Sequence, residues 1–211
     1  MQQNAKIAEM IKSLIESSNI NNRINYNNIV WPVLTRIWDE CHLLKPPIHN
    51  INDLLSFVSP ILALESDHIE LTLQCSVCLA AKLTTTWEVI LEPSCIMGKS
   101  NKGTRIRGFC DLLIVTSPFQ SCIFEFKRNK KDLEQAKEEI TGYLCNQSTK
   151  TLKILQEGRE EDFGADQLYF DRYAVTGCEQ GLYWELVSNS AVRNKIERVR
   201  NILFPENGKK D

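Results

Sequence analysis

Long apolar runs are missing from this chain. No stretch approaches the roughly 20 residues that a membrane-spanning helix needs, so no membrane association is expected. The opening residues, MQQNAKIAEMIKSLIESS, lack the apolar core and small-residue cleavage site of a secretion signal, and a cytoplasmic location is the expectation. An excess of either charge is missing too. Lys and Arg number 25 against 27 Asp and Glu, for a net charge of −2. A surface that is basic overall is thereby excluded, and any nucleic-acid binding has to use a local patch. Histidine is scarce: His42, His49 and His68. No nucleophile triad, P-loop or H-E-x-x-H motif is present, and there are no internal repeats or low-complexity tracts. Cysteine is not scarce, but cysteine at metal-ligand spacing is. Of the eight, Cys75 and Cys78 form the one C-x-x-C, with no second pair or His pair at zinc spacing. Most, such as Cys110 and Cys122, sit in apolar runs, where a reduced thiol behaves as a small hydrophobe.

What is present is an ordinary globular composition, 43% apolar and 25% charged over 211 residues, enough for one domain with an extension or two small ones. Residues 3–18 carry apolar positions at helical spacing. SSNINNRINYNN reads as a loop, and a second helix is expected over Asn28 to Leu44, with Pro32 tolerable in its first turn. Asn52-Asp53 looks like the cap of a short helix ending near Ser59-Pro60. The segment ESDHIELTLQCSVCLAAKL fits both a strand and a helix stripe; its length and the helix formers at its end favour helix. TTTWEVILEP reads as a strand stopped by Pro93, and SCIMGKSNKG as a turn with two lysines. KILQEGREEDFGADQ reads as polar loop or frayed helix. YFDRYAVTG and GLYWELVS form a hairpin around CEQG, and Ser190 to Leu203 is a final helix.

The chain is organised around Gly103 to Tyr143. FCDLLIV and CIFEFK are short apolar runs with turn residues between them, as buried strands should be. The helix DLEQAKEEITGYL follows, with Asp132 near its cap. Each run holds one carboxylate, Asp111 and Glu125. Lys127 stands two residues after Glu125, so strand periodicity sends both side chains to one face. Buried charge is costly unless it is paired or bound to a metal. Asp111 and Glu125 on neighbouring strands could hold a divalent cation of the hard, oxygen-seeking kind. Lys127 could position a nucleophilic water or offset phosphate charge. The plainer alternative is an Asp111–Lys127 ion pair with Glu125 solvated.

The pattern G-F-C-D-L-L-I-V … C-I-F-E-F-K resembles the PD-(D/E)XK nuclease superfamily, the restriction-endonuclease-like fold. The resemblance covers about Glu65 to Val187. It implies an α/β fold with a mixed central sheet flanked by helices, an acid on the second core strand and E-x-K on the third. Helices precede the first strand and follow the third. It implies Asp111 and Glu125 as ligands of Mg2+ or Mn2+ and Lys127 as the catalytic lysine, with Glu70 on the preceding helix as a further ligand and Glu65 as second choice. Cys110 replaces the Pro that often precedes the acid. Tyr143 is preceded four residues earlier by Glu139, with Gln135 one turn further back, so the Q-x-x-x-Y of RecB-like members is matched imperfectly. Their four-cysteine iron–sulfur arrangement is not evident. On this reading residues 1–64 form a helical region packed on a nuclease-like domain, 65–204, followed by a polar tail, 205–211.

Basic residues gather around the stretch. Lys99, Lys102, Arg105 and Arg107 precede Asp111, and Arg128, Lys130 and Lys131 follow Lys127. They are either the phosphate-contacting rim of a DNA groove or solvated loops. The function expected is Mg-dependent hydrolysis of DNA phosphodiesters. The alternative is a non-catalytic nucleic-acid-binding or assembly module on the same fold. A homodimer suits both, since cutting a duplex needs two sites.

Overall fold

The alternation of C-I-F-E-F-K determines how the two sides of the central strand are used. In the computed structural model, which describes residue 9 and residues 26–63, 69–99, 105–117, 120–145, 152–156, 159–163 and 171–187, this strand is β5 (Gln120–Lys127). Cys122, Phe124 and Phe126 join the main hydrophobic cluster. Glu125 and Lys127 point to the opposite side, as period two requires. Strands β1 (Glu88–Leu91), β4 (Leu112–Ser117), β5, β8 (Asp171–Cys178) and β9 (Gly181–Leu186) form a five-stranded sheet in the order β1-β4-β5-β8-β9. All neighbours are antiparallel except β5 and β8, which run parallel.

Three helices cover one face. α1 (Tyr26–Leu44), α2 (Ile51–Leu62) and α3 (Glu70–Thr84) share a single cluster with the sheet, in which Leu34, Leu55, Leu73, Phe124 and Phe126 are fully buried. The ambiguous segment is therefore a helix. It satisfied both periodicities because the polar Thr72, Gln74 and Ser76 alternate with apolar residues although α3 is buried nearly all round. Every residue from Leu71 to Ala81 is buried, as expected of a helix enclosed on all sides, and α3 touches α1, α2, β1, β5 and β8. The tryptophans serve packing: Trp38 is buried and Trp31, Trp87 and Trp184 lie against the cluster. The other face carries α4 (Leu133–Cys145), entered by a 3-10 turn over Lys130–Asp132. Leu133 and Ala136 pack on Ala174 of β8.

Several expectations need correction. SCIMGK is not a turn but strand β2 (Ser94–Lys99), paired with β3 (Arg105–Phe109). The polar KILQEGREEDF is not loop or helix but the hairpin β6 (Leu152–Gln156) and β7 (Arg159–Phe163). These four strands form a second sheet, ordered β3-β2-β6-β7. FCDLLIV is not one strand either, for the chain leaves β3 at Phe109 and enters β4 at Leu112, changing sheets at Cys110–Asp111. α1 begins at Tyr26, inside the expected loop. α2 is capped by Asn50, whose Oδ1 accepts the Asp53 N–H at 3.0 Å. It runs through Pro60 to Leu62, because Pro60 stands on its exposed side, where the carbonyl left without an amide can meet water. The hairpin around CEQG forms as expected, with Gly181 at φ 102. The helices expected over 3–18, apart from Glu9, which is helical, and over 190–203 lie outside the described residues, as does the tail 205–211.

Candidate functional site

Asp111 occupies the bend where the chain re-enters the five-stranded sheet. The outgoing switch, after β1, lies beside it: Glu92, at φ 46, donates its N–H to the Asp111 carbonyl at 2.8 Å. The β4–β5 ladder ends at Leu112 opposite Phe124. Two residues further along β5, the Phe126 N–H finds no backbone acceptor on β4 and instead donates to Asp111 Oδ2 at 2.6 Å. The side chain thus replaces a ladder bond, and this holds its carboxylate at the end of β4, beside Glu125.

Glu125 is 2% exposed. Its Oε1 accepts from Lys127 Nζ at 2.6 Å. Its Oε2 is buried and makes no hydrogen bond among the described residues. Lys127 Nζ also donates to Glu139 Oε2 of α4, at 2.8 Å, and Gln135 Nε2 donates to Glu139 Oε1 at 2.7 Å. The partner of Lys127 is therefore not Asp111, as the plainer alternative had it, and Glu125 is not solvated.

The electrostatics follow from this crowding. Burial pushes the Asp111 carboxyl up to about 7; the Phe126 N–H and Lys127 oppose the rise, while the charges of Glu70 and Glu92 add to it. Burial, then Asp111 and the nearby Glu139 carboxyl, push Glu125 up to about 9 against Lys127. Burial alone would pull Lys127 down, but its bonds to Glu125 and Glu139 outweigh that and keep the ammonium above its ordinary value. Burial would raise Glu139, yet the neighbouring Glu125 carboxyl and its bonds to Lys127 and Gln135 hold it down to about 2. Burial is the largest cause of both raised carboxyls, so without a bound cation the site favours their neutral forms.

No protein-family model, curated protein or solved structure matches this chain. The site is therefore read from its own geometry.

A hard divalent cation fits the donor set. Mg2+ is commonly held by one or two carboxylates and keeps water or phosphate oxygens in its remaining positions. Here the Asp111 and Glu125 carboxyls lie close enough to act on one another, and the buried Glu125 Oε2 makes no hydrogen bond among the described residues. Glu70 lies in the first turn of α3, exposed, and its charge reaches Asp111. Among the described residues, however, no three or more of His, Cys, Asp and Glu are grouped closely enough to hold a metal, so Glu70 does not complete a three-ligand set. Glu65 lies outside the described residues.

Of the basic residues, Arg128, Lys130 and Lys131 are exposed directly beyond Lys127, with Lys130 Nζ 4.0 Å above the Tyr183 ring. Lys99 and Arg105 are register partners across β2–β3, and Arg107 is opposite Ile96. This puts all three in the second sheet, with Lys99 on a strand where a turn was expected. Lys102 is outside the described residues. Sequence reasoning missed Glu139 and Glu92 as members of the site. Glu139 had a signal, since it stands where Q-x-x-x-Y has its Gln. Glu92 had none beyond its place before Pro93. The C-x-x-C thiols are free and buried, and burial pushes both up, which suits packing and not chemistry.

Proposed function

We propose that this protein is a divalent-metal-dependent DNA nuclease of the PD-(D/E)XK, restriction-endonuclease-like class. The observation that carries the reading is the meeting of Asp111, Glu125 and Lys127 at the junction of β4 and β5, with a buried Glu125 oxygen that makes no hydrogen bond among the described residues. The order of elements supports it. Helix α3 precedes an antiparallel run β1-β4-β5, α4 follows, and β8 returns parallel to β5. The acid opens the second strand of that run and E-x-K closes the third. The strands β2–β3 and β6–β7 are then insertions carrying their own sheet.

Asp111 and Glu125 would hold the cation. When bound, such an ion eases deprotonation of a water and stabilises charge on an attacked phosphate. Asp111 is fixed by the Phe126 N–H, so its carboxylate is oriented before any ligand arrives. Lys127 remains an ammonium and cannot accept a proton; its role is to donate hydrogen bonds, to the attacking water or to a phosphate oxygen. Arg128, Lys130 and Lys131 supply exposed positive charge beyond it, suited to a phosphate backbone.

A second reading, a non-catalytic binding or assembly module, is favoured by one observation: Lys127 is already engaged by two carboxylates. Incubating the protein with single-stranded, duplex and branched DNA and Mg2+ or Mn2+ separates the two. The nuclease reading expects cleavage that falls at least about 100-fold in Asp111→Ala and Lys127→Ala. Cleavage that survives both substitutions refutes the site. Absence of cleavage with every DNA form, together with absence of Mn2+ binding by calorimetry, favours the module.

A further inference from the structure

Helix α4 lies over the sheet where β8 offers its smallest side chain. Ala136 packs on Ala174, so the helix comes close enough for its flanks to reach the neighbouring strands. Each flank is tied by an ion pair. Glu139 reaches Lys127 on β5 at 2.8 Å, and Lys137 reaches Glu185 on β9 at 2.5 Å. Register explains the symmetry. Ala174 is opposite Glu125 on one side and Glu185 on the other, and Thr176 stands between Lys127 and Tyr183. The two pairs differ in what surrounds them. The Lys137–Glu185 pair is a surface clamp. The Lys127–Glu139 pair borders the buried carboxylates, and Gln135, one helical turn before Glu139, holds the second Glu139 oxygen.

Without Glu139, Lys127 would keep Glu125 as its one carboxylate partner among the described residues. A cation that drew on the Glu125 carboxylate would then compete with its bond to the ammonium. Glu139 offers an anchor on a different element, and its side chain is 36% exposed against 3% for Glu125. It is the solvent-side support of a lysine whose other partner lies in the core. We propose that Glu139, braced by Gln135, is a positioning residue that keeps the Lys127 ammonium beside the Asp111–Glu125 pair independently of the state of Glu125. Its part in cleavage rests on the nuclease reading above; its hold on Lys127 does not.

The test compares acylation rates of individual lysines, read by peptide mass spectrometry, in the full chain and in Glu139→Gln, Gln135→Ala and Lys137→Met. Loss of one charge-assisted bond worth about one pKa unit should speed Lys127 acylation about tenfold in Glu139→Gln and by a smaller factor in Gln135→Ala. Lys137 should keep its rate in both. Lys137→Met should leave Lys127 within about twofold, because it loosens the same helix without touching the brace. A Lys127 rate unchanged in Glu139→Gln, or raised as much by Lys137→Met, overturns the assignment. If Glu139→Gln does not fold, Gln135→Ala carries the same comparison. In DNA cleavage, Glu139→Gln should lower kcat and leave KM within about twofold; a change confined to KM overturns a role in positioning for chemistry. If the wild type cleaves no DNA, the nuclease reading fails while the lysine rates still decide the hold of Glu139 on Lys127.

Discussion

Replacing Glu125 by Gln should stabilise the metal-free protein, and by more as the pH rises. The side chain is 2% exposed, with one oxygen making no hydrogen bond among the described residues, and its carboxyl is pushed from 4.5 up to about 9. A folded-state value above the unfolded one means that the folded chain holds a proton the unfolded chain has released. The stability this proton contributes is complete below pH 4.5 and is lost as pH rises towards 9. Ionisation of the unfolded chain at pH 7, 2.5 units above 4.5, corresponds to about 3 kcal/mol at about 1.4 kcal/mol per unit. Gln keeps the shape, can still accept from Lys127, and never ionises. Wild type and Glu125→Gln should therefore converge near pH 4.5 and diverge by up to about 3 kcal/mol at pH 7. Asp111, pushed up to about 7, adds a falling slope to both proteins at lower pH. Glu139 and Lys127 act outside this window: the stability from Glu139 is lost as pH falls from 4.5 towards 2, and that from Lys127 as pH rises past 10.5. Urea unfolding at pH 5, 7 and 8.5 measures the difference. A variant less stable than wild type at pH 7 and 8.5, or a difference independent of pH, refutes the buried-carboxyl account. Excess Mg2+ should stabilise the wild type at pH 8.5 and leave Glu125→Gln unchanged, since binding to the folded state alone adds to stability.

Two further substitutions probe the frame of the site. Asp111→Ala strands the buried Phe126 N–H and should cost about 1–3 kcal/mol in chemical denaturation, whereas Asp111→Asn retains an acceptor and should cost less while losing Mn2+ binding; equal costs would show that the 2.6 Å bond does not hold the bend. Gly181→Ala should lower the melting temperature, because Gly181 has φ 102 and its added Cβ would lie 1.7 Å from the Ser59 carbonyl oxygen. Strain alone accounts for about 1–3 kcal/mol of that loss, and an unchanged melting curve would mean that the β8–β9 turn is not seated on α2.

The features that the sequence determined by itself are those with a local period. β5 reads correctly because two residues separate Glu125 from Lys127, and strand geometry alone puts them on the side away from Phe124 and Phe126. The β8–β9 hairpin reads correctly because Gly181 supplies a positive φ where the turn needs one. α3 read as a helix from its length, although burial on all sides blurred its stripe. Tertiary structure decided what no period encodes. The run FCDLLIV is apolar but for Asp111, and its break at Cys110–Asp111 depends on which strands lie on either side of each half. KILQ is a strand because it pairs with β2 on one side and REEDF on the other, and REEDF because it pairs with KILQ, not because their own residues favour it. Glu139 stands twelve residues from Lys127. The two meet because α4 crosses the sheet over Ala174, a proximity set by packing volume and not by spacing. Sequence alone therefore picked out Asp111, Glu125 and Lys127, and only the packed sheet and helix supplied what holds the lysine in place.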